Sequence, residues 1–133
     1  MKIIDIEGVG PVMAAKLAEA GVDNTDELLQ AGGTKAGRVA LAAKTGINEG
    51  MLLEWVNHAD LMRLTGVGSE YSDLLEAAGV DSTVELAHRN AANLAQTFGE
   101  LDMARNTIRR IPTEAEVARW IEEAKTLPKV VEH

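Results

Sequence analysis

The chain has 133 residues, of which 46% are hydrophobic and 26% charged, a balance typical of a folded domain rather than a disordered segment. It contains no cysteine, which excludes disulfides, thiolate metal ligands and cysteine nucleophiles. The net charge of −8 opposes a polyanion at long range, so any nucleic-acid contact must be local. No apolar run approaches the ~20 residues of a membrane span, and the first residues do not resemble a signal peptide. We therefore expect a soluble cytoplasmic protein.

The first predicted element of the chain is repeated 58 residues later. Residues 7–28 and 65–86 are identical at 11 of 22 positions, which identifies an internal duplication. Each copy reads Gly-Val-Gly followed by apolar residues at helical spacing, and each predicted helix stops at a glycine, Gly21 or Gly79. A tight glycine turn that leads into a helix leaves backbone N–H groups unpaired. This arrangement favours the binding of an anion such as phosphate.

A short second helix is predicted directly after each of these glycines. Asn24 with Glu27, and Ser82 with Glu85, have the N-cap and N3 spacing of a capping box. Both copies therefore predict the same order of elements, a turn, a helix, a glycine stop and a new helix.

Longer helical stretches are predicted at 34–45 and 90–110, and each leads through a break into a helix that carries a tryptophan. Trp55 and Trp120 occupy matching apolar faces, which predicts core anchors. Strand signals are nearly absent, with aromatic residues at 3%. The predicted fold class is therefore all-α, two tandem repeats of about 8–10 short helices in all, packed into one compact body.

The predicted organisation is a first repeat over 1–64 and a second over 65–127. No proline- or glycine-rich linker separates the two repeats, so we expect one globular unit. Residues 128–133 are expected to form a frayed tail.

Two basic islands without acidic residues lie near the breaks in the two repeats. Each island is predicted to converge on the start of the following helix, at Asn48 in the first repeat and at Thr113 in the second. The alternative is that these side chains are solvated and interact with helix C-terminal dipoles. The first island contains Lys35, Arg38 and Lys44, and the second contains Arg105, Arg109 and Arg110.

The pattern Gly8-Val9-Gly10, then Ala14, Leu17, Gly21 and Val22, resembles the helix-hairpin-helix motif, and the second copy keeps Gly66-Val67-Gly68, Leu75, Gly79 and Val80. Over nearly its whole length the chain is similar to a family of uncharacterised bacterial proteins, a domain of unknown function, built from such motifs in tandem. The breaks at 45–47 and 110–112 look like degenerate hairpins.

The resemblance implies that hairpin amides bind successive phosphates of a nucleic-acid strand without reading its sequence. Carried onto this chain, these contacts come from the turns at Gly8, Val9 and Gly10 and at Gly66, Val67 and Gly68. The basic islands are the second set of candidate nucleic-acid contacts. Acidic residues beside the turns, Glu7, Glu70 and Asp73, oppose phosphate at the glycine turns and favour the islands.

The sequence leaves a second function open, a module that presents an acidic helical surface to a basic protein partner. Candidate acids are Glu19, Asp26 and Glu27 in the first repeat and Glu114, Glu122 and Glu123 in the second. The sequence predicts no enzyme and no cofactor, since it supports neither a deep substrate pocket, nor a lysine nucleophile beside a hairpin, nor a metal-ligand cluster. It also predicts no metal site, because His58 and His88 show no ligand spacing between them or to their nearest acids. The oligomeric state is left open.

Overall fold

The structure is a computed structural model that describes the backbone of residues 1–105 and 110–133, and the side chains of these residues except 102–105. The described residues form eight α-helices, preceded by a 3-10 turn at Ile3–Asp5, and contain no strand, which confirms the all-α fold class. None of the described helices has the length and apolar character needed to cross a bilayer. The helices are α1 Pro11–Glu19, α2 Thr25–Gly32, α3 Lys35–Thr45, α4 Glu49–Leu61, α5 Ser69–Ala77, α6 Thr83–Ala87, α7 Ala91–Arg105 and α8 Glu114–Thr126.

The two glycine turns have the same backbone geometry. Gly8 and Gly66 have φ angles of 91° and 86°, in the left-handed region of the backbone that residues other than glycine rarely adopt. At the other end of α1, the Val22 N–H donates to the Leu17 carbonyl at 2.9 Å. The corresponding bond after α5 joins the equivalent residues of the second copy at the same distance. These bonds stop both helices in the manner that the glycine spacing predicted.

The hydrophobic core consists of two clusters, one on each side of the junction between α4 and α5. Trp55 lies in the first cluster and Trp120 in the second, with 2% and 4% of their surfaces exposed, so their prediction as core anchors is confirmed. Each indole covers the first glycine of a turn. The Trp55 Nε1 atom lies 3.5 Å from the position that a Cβ on Gly8 would take, and the Trp120 Nε1 atom lies 3.8 Å from that of Gly66.

Buried polar contacts join the two halves. Asp60, in the last turn of α4, accepts a hydrogen bond from the Thr83 N–H at 2.8 Å and pairs with Arg63 at 2.9 Å. His58, two residues earlier, contacts Ser72 of α5 at 3.0 Å. The chain therefore forms one compact body, while the division into repeats at 1–64 and 65–127 stays a prediction.

The expected frayed tail at 128–133 instead lies against the first half. Val131 is buried in the first core cluster, and the Glu132 N–H donates to the Gly33 carbonyl at 2.7 Å. Arg38 donates to the Glu132 carbonyl, and the His133 Nε2 atom lies 2.8 Å from the Asn57 Oδ1 atom. The tail is held because its backbone meets Gly33 at the end of α2 and Arg38 on α3, and its last side chain meets α4, all far away in the sequence.

Candidate functional site

Six of the eight described helices begin with a side chain that accepts a hydrogen bond from their own first-turn amides. Such a cap occupies the position that an anion would otherwise take at the helix start. The two helices without a side-chain cap are α1 and α5, which begin after the duplicated glycine turns at Gly10 and Gly68. The capping residues are Asn24, Thr34, Asn48, Ser82, Asn90 and Thr113.

The predicted hairpin residues divide into buried and exposed groups. Val9 and Val67 are buried, and their amides donate within the turns to the Ile6 and Leu64 carbonyls, both at 3.1 Å. The first helical hydrogen bond of α1 runs from the Ala14 N–H to the carbonyl of Gly10, which is exposed. Pro11 has no N–H, so the first-turn amides of α1 that lack an intrahelical acceptor are those of Val12 and Met13. In α5 the first helical bond runs from the Ser72 N–H to the Gly68 carbonyl at 2.9 Å. The second glycine of each turn is therefore the N-cap residue of the following helix, whereas the valine packs in the core.

The first basic island does not converge on Asn48. Arg38 is buried, with 4% of its surface exposed, and its guanidinium donates to the Gly32 carbonyl at 2.9 Å and the Gly33 carbonyl at 3.0 Å. Lys35 and Lys44 are exposed. Arg38 was expected to face phosphate, but its donors are occupied by the end of α2 and the tail.

In the second island, the side chain that the structure describes, that of Arg110, is also engaged within the chain. Arg110 forms two hydrogen bonds with Glu116, at 2.6 and 2.9 Å. The Glu116 carboxylate also accepts from the Thr113 N–H at 3.2 Å, so the start of α8 holds its own anion. These bonds, with that of Arg110 first, lower the pKa of Glu116 to about 2. Arg109 lies outside the described residues, as does the side chain of Arg105.

A polar cluster between α4 and α5 was not anticipated from the sequence. One ligand-type atom from each of Glu54, His58 and Glu76 lies within 4.8 Å of the others. The His58 Nε2 atom is 2.5 Å from the Glu76 Oε2 atom. The expectation that His58 has no ligand spacing overlooked Glu54, which precedes it by four residues on one face of α4.

Hydrogen bonding fixes the tautomer of His58. The Ser72 hydroxyl donates to the Ser69 carbonyl at 3.0 Å, so its oxygen is free to accept from the Nδ1–H of His58. The Nε2 lone pair of neutral His58 then points at Glu76, and a proton must lie between these two atoms. Burial raises the pKa of Glu76 to about 7, with further contributions from Glu54, Asp73 and Asp81, and burial also lowers the pKa of His58. A protonated Glu76 donating to neutral His58 satisfies every group.

Ser72, His58 and Glu76 do not form a hydrolytic triad. The Ser72 side chain is fully buried, and its hydroxyl donates to a backbone carbonyl rather than to the imidazole. A nucleophilic serine needs the reverse arrangement, with its proton directed at the histidine and its oxygen open to substrate. The cluster is therefore suited to holding a cation or a proton.

We expect Glu76→Gln to change how the stability of the protein depends on pH. The folded-state pKa of Glu76 is about 7, above its ordinary value of 4.5, so the stability it contributes when protonated is lost as pH rises from about 4.5 to 7. Glutamine keeps a donor to His58 without titrating. With a chelator present, the variant should match the wild type near pH 5 and exceed its free energy of unfolding at pH 8 by about 2 kcal/mol.

Urea denaturation at several pH values measures this difference. Glu49→Gln, which removes an exposed carboxylate from the neighbouring helix α4, is the control and should run parallel to the wild type. Parallel curves for Glu76→Gln between pH 5 and 8 would show that Glu76 is already ionised in the folded protein.

Comparison with known proteins identifies a family and no activity. No curated protein and no solved structure matches the chain. A family model described as a domain of unknown function, DUF4332, matches residues 7–127. This match includes both glycine turns and all eight helices, and it confirms the resemblance to a domain-of-unknown-function family that the motifs indicated. The chain belongs to the DUF4332 family.

Proposed function

We propose that this protein is a non-enzymatic tandem helix-hairpin-helix module that binds the phosphate backbone of nucleic acid without sequence preference, through the starts of α1 and α5. The observation that supports this most is the distribution of N-caps. The two described helix starts without a side-chain cap are the two that follow the duplicated Gly-Val-Gly turns. Because the N-cap residue of both helices is a glycine, no side chain competes with a phosphate for the first-turn amides.

The chemistry of these ends suits a phosphate oxygen. First-turn amides point out of the helix start, and the helix dipole adds a partial positive charge there. Glycine at the N-cap leaves room for the ligand, since nothing lies within 4 Å of a Cβ placed on Gly10. At Gly68 the nearest atom to such a Cβ is the Met1 Cε, at 3.7 Å, which belongs to a flexible side chain.

The surrounding charge limits the strength of binding. Glu7 adjoins the first turn, the chain carries a net charge of −8, and two of the predicted basic contacts, Arg38 and Arg110, are engaged internally. Lys35 and Lys44 remain exposed to attract a polyanion. With two sites that each engage one or two phosphates, the logarithm of the affinity should fall with the logarithm of salt concentration at a slope of about −2 to −4.

We expect the double variant Gly10→Asp with Gly68→Asp to lose nucleic-acid binding while keeping or slightly raising stability. An aspartate at each N-cap would accept from the amides that phosphate would use and would place a negative charge there. Neither position has a positive φ, so both accept a side chain. Fluorescence anisotropy with duplex, junction and single-stranded DNA at about 20 mM salt should show at least a tenfold loss of affinity, because repulsion adds to the lost contacts.

Asn48→Asp is the matched control. It adds one negative charge, against two in the double variant, at a helix start that already carries a side-chain cap, so it should leave binding within about twofold of the wild type apart from the general charge effect. Equal losses in the control and in the glycine variants would locate the contact at the basic island and not at the turns. Absence of binding by the wild type at low salt would refute the nucleic-acid proposal.

The second candidate function, an acidic protein-interaction module, is favoured by exposed apolar side chains beside α1. Ile4 and Val12 have 47% and 69% of their surfaces exposed, and the exposed, acidic Glu19 lies on the same face of α1 as Val12, seven residues later. Among the other candidate acids, Glu123 bonds to Thr65 and is less available. If a basic partner protein binds this surface, charge reversal at Glu19 and the exposed Asp26 should reduce its recovery, and unchanged recovery would reject this function.

A further inference from the structure

The orientation of the buried His58 imidazole indicates a ligand for the polar cluster between α4 and α5. Ser72 accepts from Nδ1, so Nε2 presents its lone pair toward the oxygens of Glu54 and Glu76. A lone pair directed at a carboxylate is repulsive unless a positive species lies between them. A proton fills that role in the metal-free protein, and a metal ion is the other species that binds the same three atoms.

We propose that Glu54, His58 and Glu76 bind a divalent transition-metal ion, with Zn²⁺ as the best fit. The ligands would be the Nε2 atom of His58 and one carboxylate oxygen from each glutamate. One imidazole with two carboxylates is a ligand set that zinc accepts with three protein ligands and an open fourth position. Imidazole also disfavours Mg²⁺ and Ca²⁺, which prefer oxygen ligands alone. This proposal is independent of the phosphate sites on α1 and α5.

The geometry needs little rearrangement. Ligand atoms on a tetrahedral zinc lie about 3.3 Å apart, given zinc–ligand distances near 2.0–2.1 Å. The His58 Nε2 and Glu76 Oε2 atoms are now 2.5 Å apart, and all three ligand atoms lie within 4.8 Å. If the carboxylates of the partly exposed Glu76 and the exposed Glu54 move by about an ångström, the three ligand atoms reach the spacing that zinc needs. The hydrogen bond at Nδ1 meanwhile holds the ring, as in known metal-ligating histidines.

The electrostatic surroundings favour a cation. The negative charges of Asp73 and Glu54 raise the pKa values of both His58 and Glu76, and the charge of Glu7 raises that of His58. Among the described residues, no lysine or arginine forms a salt bridge with any of the three ligands. The nearest charges are thus negative, and a dication would neutralise them.

A bound ion would also join the two halves of the chain. Glu54 and His58 belong to α4, which contributes to the first core cluster, and Glu76 belongs to α5, which contributes to the second. A ligand that binds the folded state and not the unfolded chain raises stability in proportion to the logarithm of its concentration above Kd. We therefore expect Zn²⁺, and not Mg²⁺, to raise the Tm of the full chain.

The test is titration of the chelator-stripped full chain with Zn²⁺ in competition with a chromophoric chelator, together with the visible absorption of the Co²⁺ form. We expect one ion per chain and a Co²⁺ spectrum of nitrogen and oxygen ligands. Glu54→Gln and His58→Gln should each weaken Zn²⁺ binding by about tenfold or more. The Glu54 side chain is exposed and makes no hydrogen bond to the described residues. Glu54→Gln should therefore fold even if His58→Gln does not.

Two control variants separate this site from nonspecific binding. Glu49→Gln removes an exposed carboxylate from the same helix, and His88→Gln removes an exposed imidazole. Both should bind Zn²⁺ as tightly as the wild type. The proposal is overturned if Zn²⁺ does not bind, if Glu54→Gln leaves the affinity unchanged, or if either control weakens binding as much as Glu54→Gln does.

Discussion

Asp60→Ala is expected to lower the free energy of unfolding by about 3–5 kcal/mol, because it removes one member of a buried, hydrogen-bonded charge pair. Asp60 has 2% of its surface exposed and accepts from both the backbone N–H and the hydroxyl of Thr83. It also pairs with Arg63 at 2.9 Å. Alanine would leave the buried Thr83 amide at the start of α6 without its acceptor and Arg63 without its carboxylate.

Urea denaturation of Asp60→Ala, Asp60→Asn and Asp26→Ala measures the loss. Asparagine retains an oxygen that can accept from the Thr83 N–H, so it should lose less, about 1–2 kcal/mol, mainly through the charge pair. Asp26 is exposed on α2, and its alanine variant should stay within about 0.5 kcal/mol of the wild type. Equal losses of unfolding free energy for Asp60→Ala and Asp26→Ala would mean that the Asp60 contacts between the halves do not stabilise the fold.

Local sequence patterns predicted much of the fold because the information for a turn or cap lies within a few residues. Gly21 and Gly79 end α1 and α5 because a left-handed residue is needed there, and both adopt a positive φ. Asn24 and Ser82 cap α2 and α6 by accepting from the Glu27 and Glu85 N–H groups, which is half of the predicted capping box. The Glu27 carboxylate accepts instead from the Asp23 N–H, and Glu85 pairs with Arg89. The tandem helix-hairpin-helix assignment rests on these same local features and stays a prediction.

The candidate site was harder to predict because its members come from distant parts of the chain. His58 meets Ser72 and Glu76 only after α4 packs on α5, and periodicity carries no information on that pairing. The spacing of Glu54 and His58 was the one local signal available, and it is common on exposed helix faces. The partners of the basic side chains are also long-range or structural facts: Asn48 accepts from the Gly50 and Met51 amides, and Arg110 bonds to Glu116 at the start of α8.

The islands also show why a cluster of basic residues is weak evidence for nucleic-acid binding. In a helical protein, carbonyl groups at helix ends and carboxylates in first turns are abundant internal partners for arginine. Arg38 uses the former and Arg110 the latter. A helix start without a side-chain cap is stronger evidence, since no N-cap side chain accepts from its amides.

Arg38→Ala is expected to lower the free energy of unfolding by about 3 kcal/mol, because three backbone carbonyls in a buried site each lose the hydrogen bond that the guanidinium donates. Two of these carbonyls belong to Gly32 and Gly33 at the end of α2, and the third belongs to Glu132 in the tail. Lysine at this position should recover little, since one ammonium cannot reproduce the planar fork of the guanidinium.

The exposed Lys35, three residues earlier on α3, provides the control, and its alanine variant should cost no more than about 0.5 kcal/mol. Hydrogen exchange adds a local measurement, because the Glu132 amide, which donates to Gly33, should lose protection in Arg38→Ala before the rest of the fold opens. If Arg38 instead served nucleic acid, its alanine variant would bind more weakly while retaining both wild-type stability and a protected tail. The two measurements together therefore decide whether this arginine stabilises the fold or binds a ligand.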